Sequence, residues 1–162
     1  MPASTTPEAL DTPHGAARAG RGRVSRAVGG IVAVGLAVLL TGCLAPPQQT
    51  MLDDVNRDRQ AQGRTALPTQ AELMTKAQAW SAQMARDGKI SHSRLSDGIT
   101  VCWDASGENV AQSTTLAGLE AQWMASTGHR TNILDARWTH IGVGVTKVGD
   151  QYFGVQVFLQ VC

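Results

Sequence analysis

The sequence predicts an α+β fold in which helices cover a small antiparallel sheet. Apolar residues recur at helical spacing through the middle of the chain, strict alternation takes over from about residue 140, and Gly149-Asp150 separates two alternating runs as a hairpin turn would. Helices first and a hairpin last fit a sheet with helices packed on it.

The first segment is a leader. Residues 1 to 26 are rich in Pro, Ala, Gly and Arg and close on Arg18, Arg21, Arg23 and Arg26; the apolar run AVGGIVAVGLAVLL, Ala27 to Leu40, follows. A spanning helix needs about 20 residues, so this run suits a signal-peptide core better. The segment ends in LTGC, Leu40 to Cys43, which resembles the lipobox of bacterial lipoproteins. That resemblance implies removal of residues 1–42, a diacylglycerol thioether on Cys43 and an extracytoplasmic, membrane-anchored domain. Two or three acyl chains anchor stably where a single chain is marginal. The alternative is an uncleaved signal anchor whose cysteine is incidental.

The leader takes four of the 14 basic and two of the 13 acidic residues, so the remaining 120 residues carry ten and eleven. This near balance offers no electrostatic footprint for nucleic acid. Two further cysteines, Cys102 and Cys162, read as one disulfide in an oxidising compartment, or else as two free thiols. Closing a loop of about 60 residues contributes roughly 4 kcal/mol in the chain-entropy model.

Residues 43–50 read as a Pro/Gln tether, extended at Pro46 and Pro47, ahead of a domain over 51–162. The run from Met51 to Gly63 is helical, with Leu52, Val55 and Arg59 on one side and Asp53 and Asp54 in the first turn. Thr69 followed by Glu72 has the spacing of a capping box for a second helix, whose stripe is Leu73, Ala77, Trp80 and Met84 and whose stop is Gly88. Ile90 to Gly107 reads as a short strand and a loop held by Cys102. A third helix is expected from about Thr115 to Thr127, ended by Gly128, with a helical turn over Asn132 to Asp135.

In HIGVGVTK, Ile141, Val143 and Val145 form one face, and Gly142 and Gly144 leave room on the other for a close neighbour. In QYFGVQVFLQV, Phe153, Val155, Val157, Leu159 and Val161 share a face, with Tyr152, Gly154, Gln156, Phe158 and Gln160 opposite.

Three ionisable groups stand out by context: His92 after the second helix, Glu108 in GENV and His129 in GHRTNIL. Their separations are too long for a local ligand motif such as HExxH. Two neutral imidazoles and a carboxylate would nevertheless make a zinc set with an open fourth position, if the fold gathers them. Without metal they could instead be a hydrogen-bonded network fixing a cleft wall. Asn109 and Asn132 read as structural polar residues in turns or helix starts.

Taken in order, WSAQMARDGKISHS, GENVA, WMASTGHRTNIL, HIGVGV and VQVFLQ resemble the CAP superfamily, also called SCP or PR-1-like, over about residues 51–162. The resemblance implies a three-layer α/β/α sandwich with a cleft that collects two histidines and up to two acidic residues. His92, Glu108 and His129 match three of those positions; the remaining acidic position, three residues after the helix tryptophan, is Ser126 here. The resemblance further implies a binding module for a divalent metal such as zinc, an apolar small molecule or an envelope protein. A metal- or Ser/His-dependent hydrolase built on Ser126, His129 and Glu108 is the first alternative. A structural partner of cell-wall machinery is the second.

Overall fold

Four helices and three strands make up the domain, in the order α1 (Pro46–Ala61), α2 (Ala71–Asp87), β1 (Trp103–Ser113), α3 (Leu116–Ala125), α4 (Thr127–Leu134), β2 (His140–Val148) and β3 (Gln151–Val161). The computed structural model describes residues 44–162, so the leader and Cys43 lie outside the described residues. Among the described residues no helix is long and apolar enough to cross a membrane.

The tether expected over residues 43–50 is mostly helix. Pro46 and Pro47 sit in the first turn of α1, where a missing N–H costs nothing because that donor has no intrahelical acceptor. Asp53 and Asp54 consequently lie two turns into α1 rather than at its start. The inward side is Met51, Val55 and Arg59. Arg59 is buried because its guanidinium donates to the carbonyls of Thr65, Ile133 and Asp135.

The capping of α2 also differs from expectation. Gln70 is the N-cap, its side chain accepting from the Leu73 N–H, while Thr69 pairs with Ile141 in an isolated parallel bridge to β2. Glu72 reaches outward and accepts from the amide and hydroxyl of Thr100. At the other end Gly88, with φ of 66°, closes the helix in the left-handed conformation as its position predicts.

The sheet has the order β1-β3-β2, all antiparallel. The β2–β3 hairpin turns at Gly149, with φ of 56°, and the pairing follows the predicted strands. The strand expected near Ile90 is loop, and β1 is instead a long strand from Trp103 that contains GENV.

Both faces of the sheet are covered. Leu73, Ala77 and Met84 of α2 pack with Phe153, Val155, Val157 and Leu159 on one face. Met51 and Val55 of α1, Leu119 and Trp123 of α3 and Ile133 of α4 pack with Ile141, Val143 and Phe158 on the other. A Cβ on Gly142 would lie 2.2 Å from the carbonyl carbon of Leu73, and one on Gly144 2.2 Å from that of Ala77, so the two glycines admit α2 against β2. Cys102 and Cys162 are joined, with Cα atoms 5.5 Å apart, tying the approach to β1 to the end of β3.

Candidate functional site

Strand alternation sends Glu108 and Asn109 to opposite faces of β1, one of the two edge strands of the sheet among the described residues. Glu108 pairs in register with Val157 on the face covered by α2, and Asn109 pairs with Gln156 on the face covered by α1, α3 and α4. Groups from both helical layers can therefore meet around the free edge of β1.

Glu108 is buried, its side chain 1 % exposed, and is well supplied with donors. His92 Nδ1 lies 2.8 Å from Oε1, the Ser93 amide donates to the same oxygen at 2.9 Å, and the Ser93 hydroxyl donates to Oε2 at 2.6 Å. A carboxylate only accepts, so His92 carries its proton on Nδ1 and turns Nε2 to solvent. The Lys76 ammonium, fixed by the carbonyls of Arg94 and Asp97, is a charge partner for Glu108; burial pushes Lys76 below its ordinary range, with Glu108 and Asp97 opposing that shift.

His129 arrives from the opposite layer. The expected exit from α3 at Gly128 is not where the helix breaks: Ser126, at φ −87° and ψ 124°, ends α3 and precedes α4, which contains Gly128 and His129 in its first turn. Partial burial lowers the His129 pKa below its ordinary value, and the nearby His92 lowers it further. Its carbonyl accepts from Asn109 Nδ2 at 3.1 Å. Among the described residues no hydrogen bond joins the Ser126 and His129 side chains, although Ser126 is the N-cap of α4 and its carbonyl accepts from the Arg130 amide across that first turn.

Beside His129 is a cleft of about 440 Å³, lined by Ile90, Val110, Ala111, Trp123, Ala125 and Ser126 among others. Its wall is mainly apolar, and Ile90 is 49 % exposed at its margin. Thus His92 and Glu108 are bonded to each other, His129 feels His92, and Ser126 shares the cleft with His129. The three do not form a zinc set. Both Glu108 oxygens are already occupied by donors, and among the described residues no group of three or more His, Cys, Asp or Glu side chains is gathered closely enough to hold a metal.

The CAP model, the cysteine-rich secretory protein family, matches residues 52–162. The chain belongs to the CAP family. The uncharacterized protein YkwD of Bacillus subtilis is 31% identical over 111 residues, which are 63% of this chain and 43% of that protein. An extracellular protein containing a SCP domain from Bacillus anthracis is 27% identical with a TM-score of 0.59, over 74% of this chain and 45% of that one. An outer surface protein of Borrelia burgdorferi shares the fold at a TM-score of 0.63 and 15% identity, over 72% of this chain and 93% of that one. The chain thus spans under half the length of the two Bacillus proteins.

This CAP domain also places around His92, Glu108 and His129 residues that the sequence reading left out of the candidate site. Ser93 follows His92 directly and reaches Glu108 through both its amide and its hydroxyl. Asn109 and Asn132 are not turn residues: Asn109 lies on β1 and Asn132 on α4, joined to Gln156 and Glu120 in a network that crosses the core. The signal for the charged members was positional. Lys76 and Glu120 fall on the inward stripes of their helices, beside Ala77 and three residues before Trp123, where a charge must find a partner or lose its charge.

Proposed function

We propose that this chain is a lipid-anchored, extracytoplasmic binding domain whose cleft takes an apolar ligand with a polar end. The observation that carries this reading is the cleft itself. Ile90, Val110, Ala111, Trp123 and Ala125 supply an apolar wall in about 440 Å³, with Gln122, Ser126 and His129 as the polar groups beside it. Few, placed polar groups in a mainly apolar concavity are the usual make-up of small-molecule sites. The anchor rests on LTGC at Leu40–Cys43. Only Leu44 and Ala45 separate Cys43 from α1, so a lipid on Cys43 holds the domain close to the bilayer, without a long flexible tether. An extracytoplasmic setting also suits the Cys102–Cys162 disulfide.

The test uses the full chain carrying Cys43→Ser, titrated with a long-chain fluorescent fatty acid. Saturable binding is expected, weakened at least about tenfold by Ile90→Asp, since a charge at the mouth of an apolar cleft costs more than about 1.4 kcal/mol on binding. Absence of saturable binding, or equal affinity in Ile90→Asp, refutes the cleft reading. Incorporation of labelled palmitate in the native chain and its loss in Cys43→Ser tests the anchor separately.

A further inference from the structure

Two glutamates of this domain are about equally buried, Glu108 at 5 % and Glu120 at 6 % exposure, and their surroundings are opposite. Glu108 accepts three hydrogen bonds and has a lysine near it. Glu120, on α3, accepts one, from Gln156 Nε2 at 2.8 Å on Oε2, and its Oε1 is buried with no hydrogen-bond partner among the described residues. The charged groups that bear on Glu120 are themselves acidic: Asp58 and Asp54, both from α1. Arg57 pairs with those two aspartates from the surface, with its side chain 64 % exposed. Gln156 of β3 is neutral, and among the described residues no charged group of β1 or α4 bears on Glu120. An anion with a single donor, in a dry site, opposite two carboxylates is far less stable than the neutral acid.

The single donor is also the end of a directed chain. Asn132 Nδ2 donates to the carbonyl of Glu108 and to Asn109 Oδ1 at 3.0 Å. Asn109 Nδ2 donates to the carbonyl of His129 and to Gln156 Oε1 at 3.0 Å. Gln156 Nε2 donates to Glu120. Backbone carbonyls can only accept, so the amides of Asn109 and Asn132 are oriented by Glu108 and His129, and every link runs toward Glu120. The residues held through their main chains at the upstream end are Glu108, which bonds His92, and His129, the imidazole of the cleft.

We propose that Glu120 is a positioning residue held as the neutral acid: its hydroxyl faces Asp58 of α1, its other oxygen terminates the amide relay, and loss of the proton sets its charge against the carboxylates of α1, parts α1 from α3 and shifts the end of the relay that seats Glu108 and His129. Burial, reinforced by Asp58 and Asp54 and opposed by the Gln156 hydrogen bond, raises the Glu120 pKa to about 8. The bearing of the relay on ligand capture rests on the cleft reading above; its proton chemistry does not.

The test is a pH titration by NMR of the full chain carrying Cys43→Ser, with and without Glu120→Gln. A glutamine at this position keeps an acceptor for Gln156 and a donor toward Asp58 and cannot ionise. The Glu120 carboxyl carbon, identified by its absence in Glu120→Gln, should titrate near pH 8, and the side-chain amide signals of Asn109 and Gln156 should shift with the same midpoint. In Glu120→Gln those amide shifts should vanish. A carboxyl titrating near 4.5 overturns the proposal, as does an amide shift that persists in the variant. If the variant does not fold, the carboxyl carbon of the Cys43→Ser chain with Glu120 intact, assigned through its bonds, decides alone. Binding of the fluorescent fatty acid is a separate result that bears only on the cleft.

Discussion

Gly144→Ala is the smallest change that challenges the seating of α2 on the sheet. The new Cβ would lie 2.2 Å from both the carbonyl carbon and oxygen of Ala77 and 2.4 Å from the amide nitrogen of Gln78. Ordinary contact begins near about 3.5 Å, so helix and strand must separate by roughly 1.3 Å. Nothing in the contact is a flexible side-chain tip that could swing away. The same movement strains the bonds by which the Gln78 side chain clasps the amide and carbonyl of Val145, at 3.1 and 3.2 Å. Overpacking costs typically about 1–3 kcal/mol and each lost hydrogen bond about 1 kcal/mol, which gives a destabilisation of roughly 2–5 kcal/mol. Against a total stability of about 5–15 kcal/mol this is a large loss. Urea unfolding followed by circular dichroism measures it, with Gly128→Ala as the control. Gly128 lies in the first turn of α4 with no heavy atom within 4 Å of an added Cβ, and alanine there should be neutral or add up to about 1 kcal/mol. A Gly144→Ala midpoint within error of the parent, at unchanged m-value, refutes the close-packing argument.

Three further outcomes follow from the same physical reasoning. The folded-state pKa of Glu120 lies above its unfolded value of 4.5, so the folded state holds the proton more tightly and stability falls as pH rises from about 4.5 to about 8; Glu120→Gln should flatten that decline in urea midpoints, and parallel pH profiles for both proteins would contradict it. His129 is shifted the other way, so its contribution is intact above the ordinary histidine range and is lost as pH falls below it, which His129→Gln should remove from the acid limb of the same profiles. Replacing both Cys102 and Cys162 by serine opens a link across 60 residues and should cost up to roughly 4 kcal/mol, read as a lower thermal midpoint that no longer responds to reductant; a midpoint equal to the parent's would mean the link adds nothing.

Much of the frame was legible because burial imposes a period on the sequence. The β2 and β3 alternation, the α2 stripe and the Gly142/Gly144 gap each follow from one face needing cover, and each is found. Local capping chemistry was less legible, since Thr69 and Gln70 are both plausible caps and tertiary pairing of Thr69 with Ile141 decides between them. The start of α1 was hidden by Pro46 and Pro47, which read as extended chain unless they occupy the first turn. β1 was missed because its residues, WDASGENVAQS, are mostly small or polar: its inward positions bury Glu108 and Asn109 in addition to hydrocarbon, so no apolar alternation marks it. The same fact concealed half of the site. The contact of His92 with Glu108 was not legible from their spacing and was expected only from the family resemblance, whereas the contributions of Ser93, Gln156 and Glu120 depend on which face of which element each occupies.

An edge strand is an unpromising place for positioned chemistry, because one side of its ladder is open and the strand is free to fray. β1 is held by three constraints of different kinds. β3 pairs with it from Trp103 to Ser113, the disulfide fixes the residue before its start to the residue after the end of β3, and the amide relay ties its middle to α3 and α4. At the level of Glu108 and Asn109 the relay adds side-chain bonds to the ladder pairing with Val157 and Gln156. The ladder and the disulfide set where the strand runs, and the relay fixes the Asn109 side chain toward the His129 carbonyl on the opposite face from Glu108 and His92. A polar network in the core, which hydrophobic residues of similar volume could replace at little cost in stability, therefore makes sense as a device for orientation. It also fits the relay's ending on an acid in an environment hostile to its anion: a neutral carboxyl offers an acceptor to Gln156 and turns its proton toward the carboxylates of α1 in one side chain.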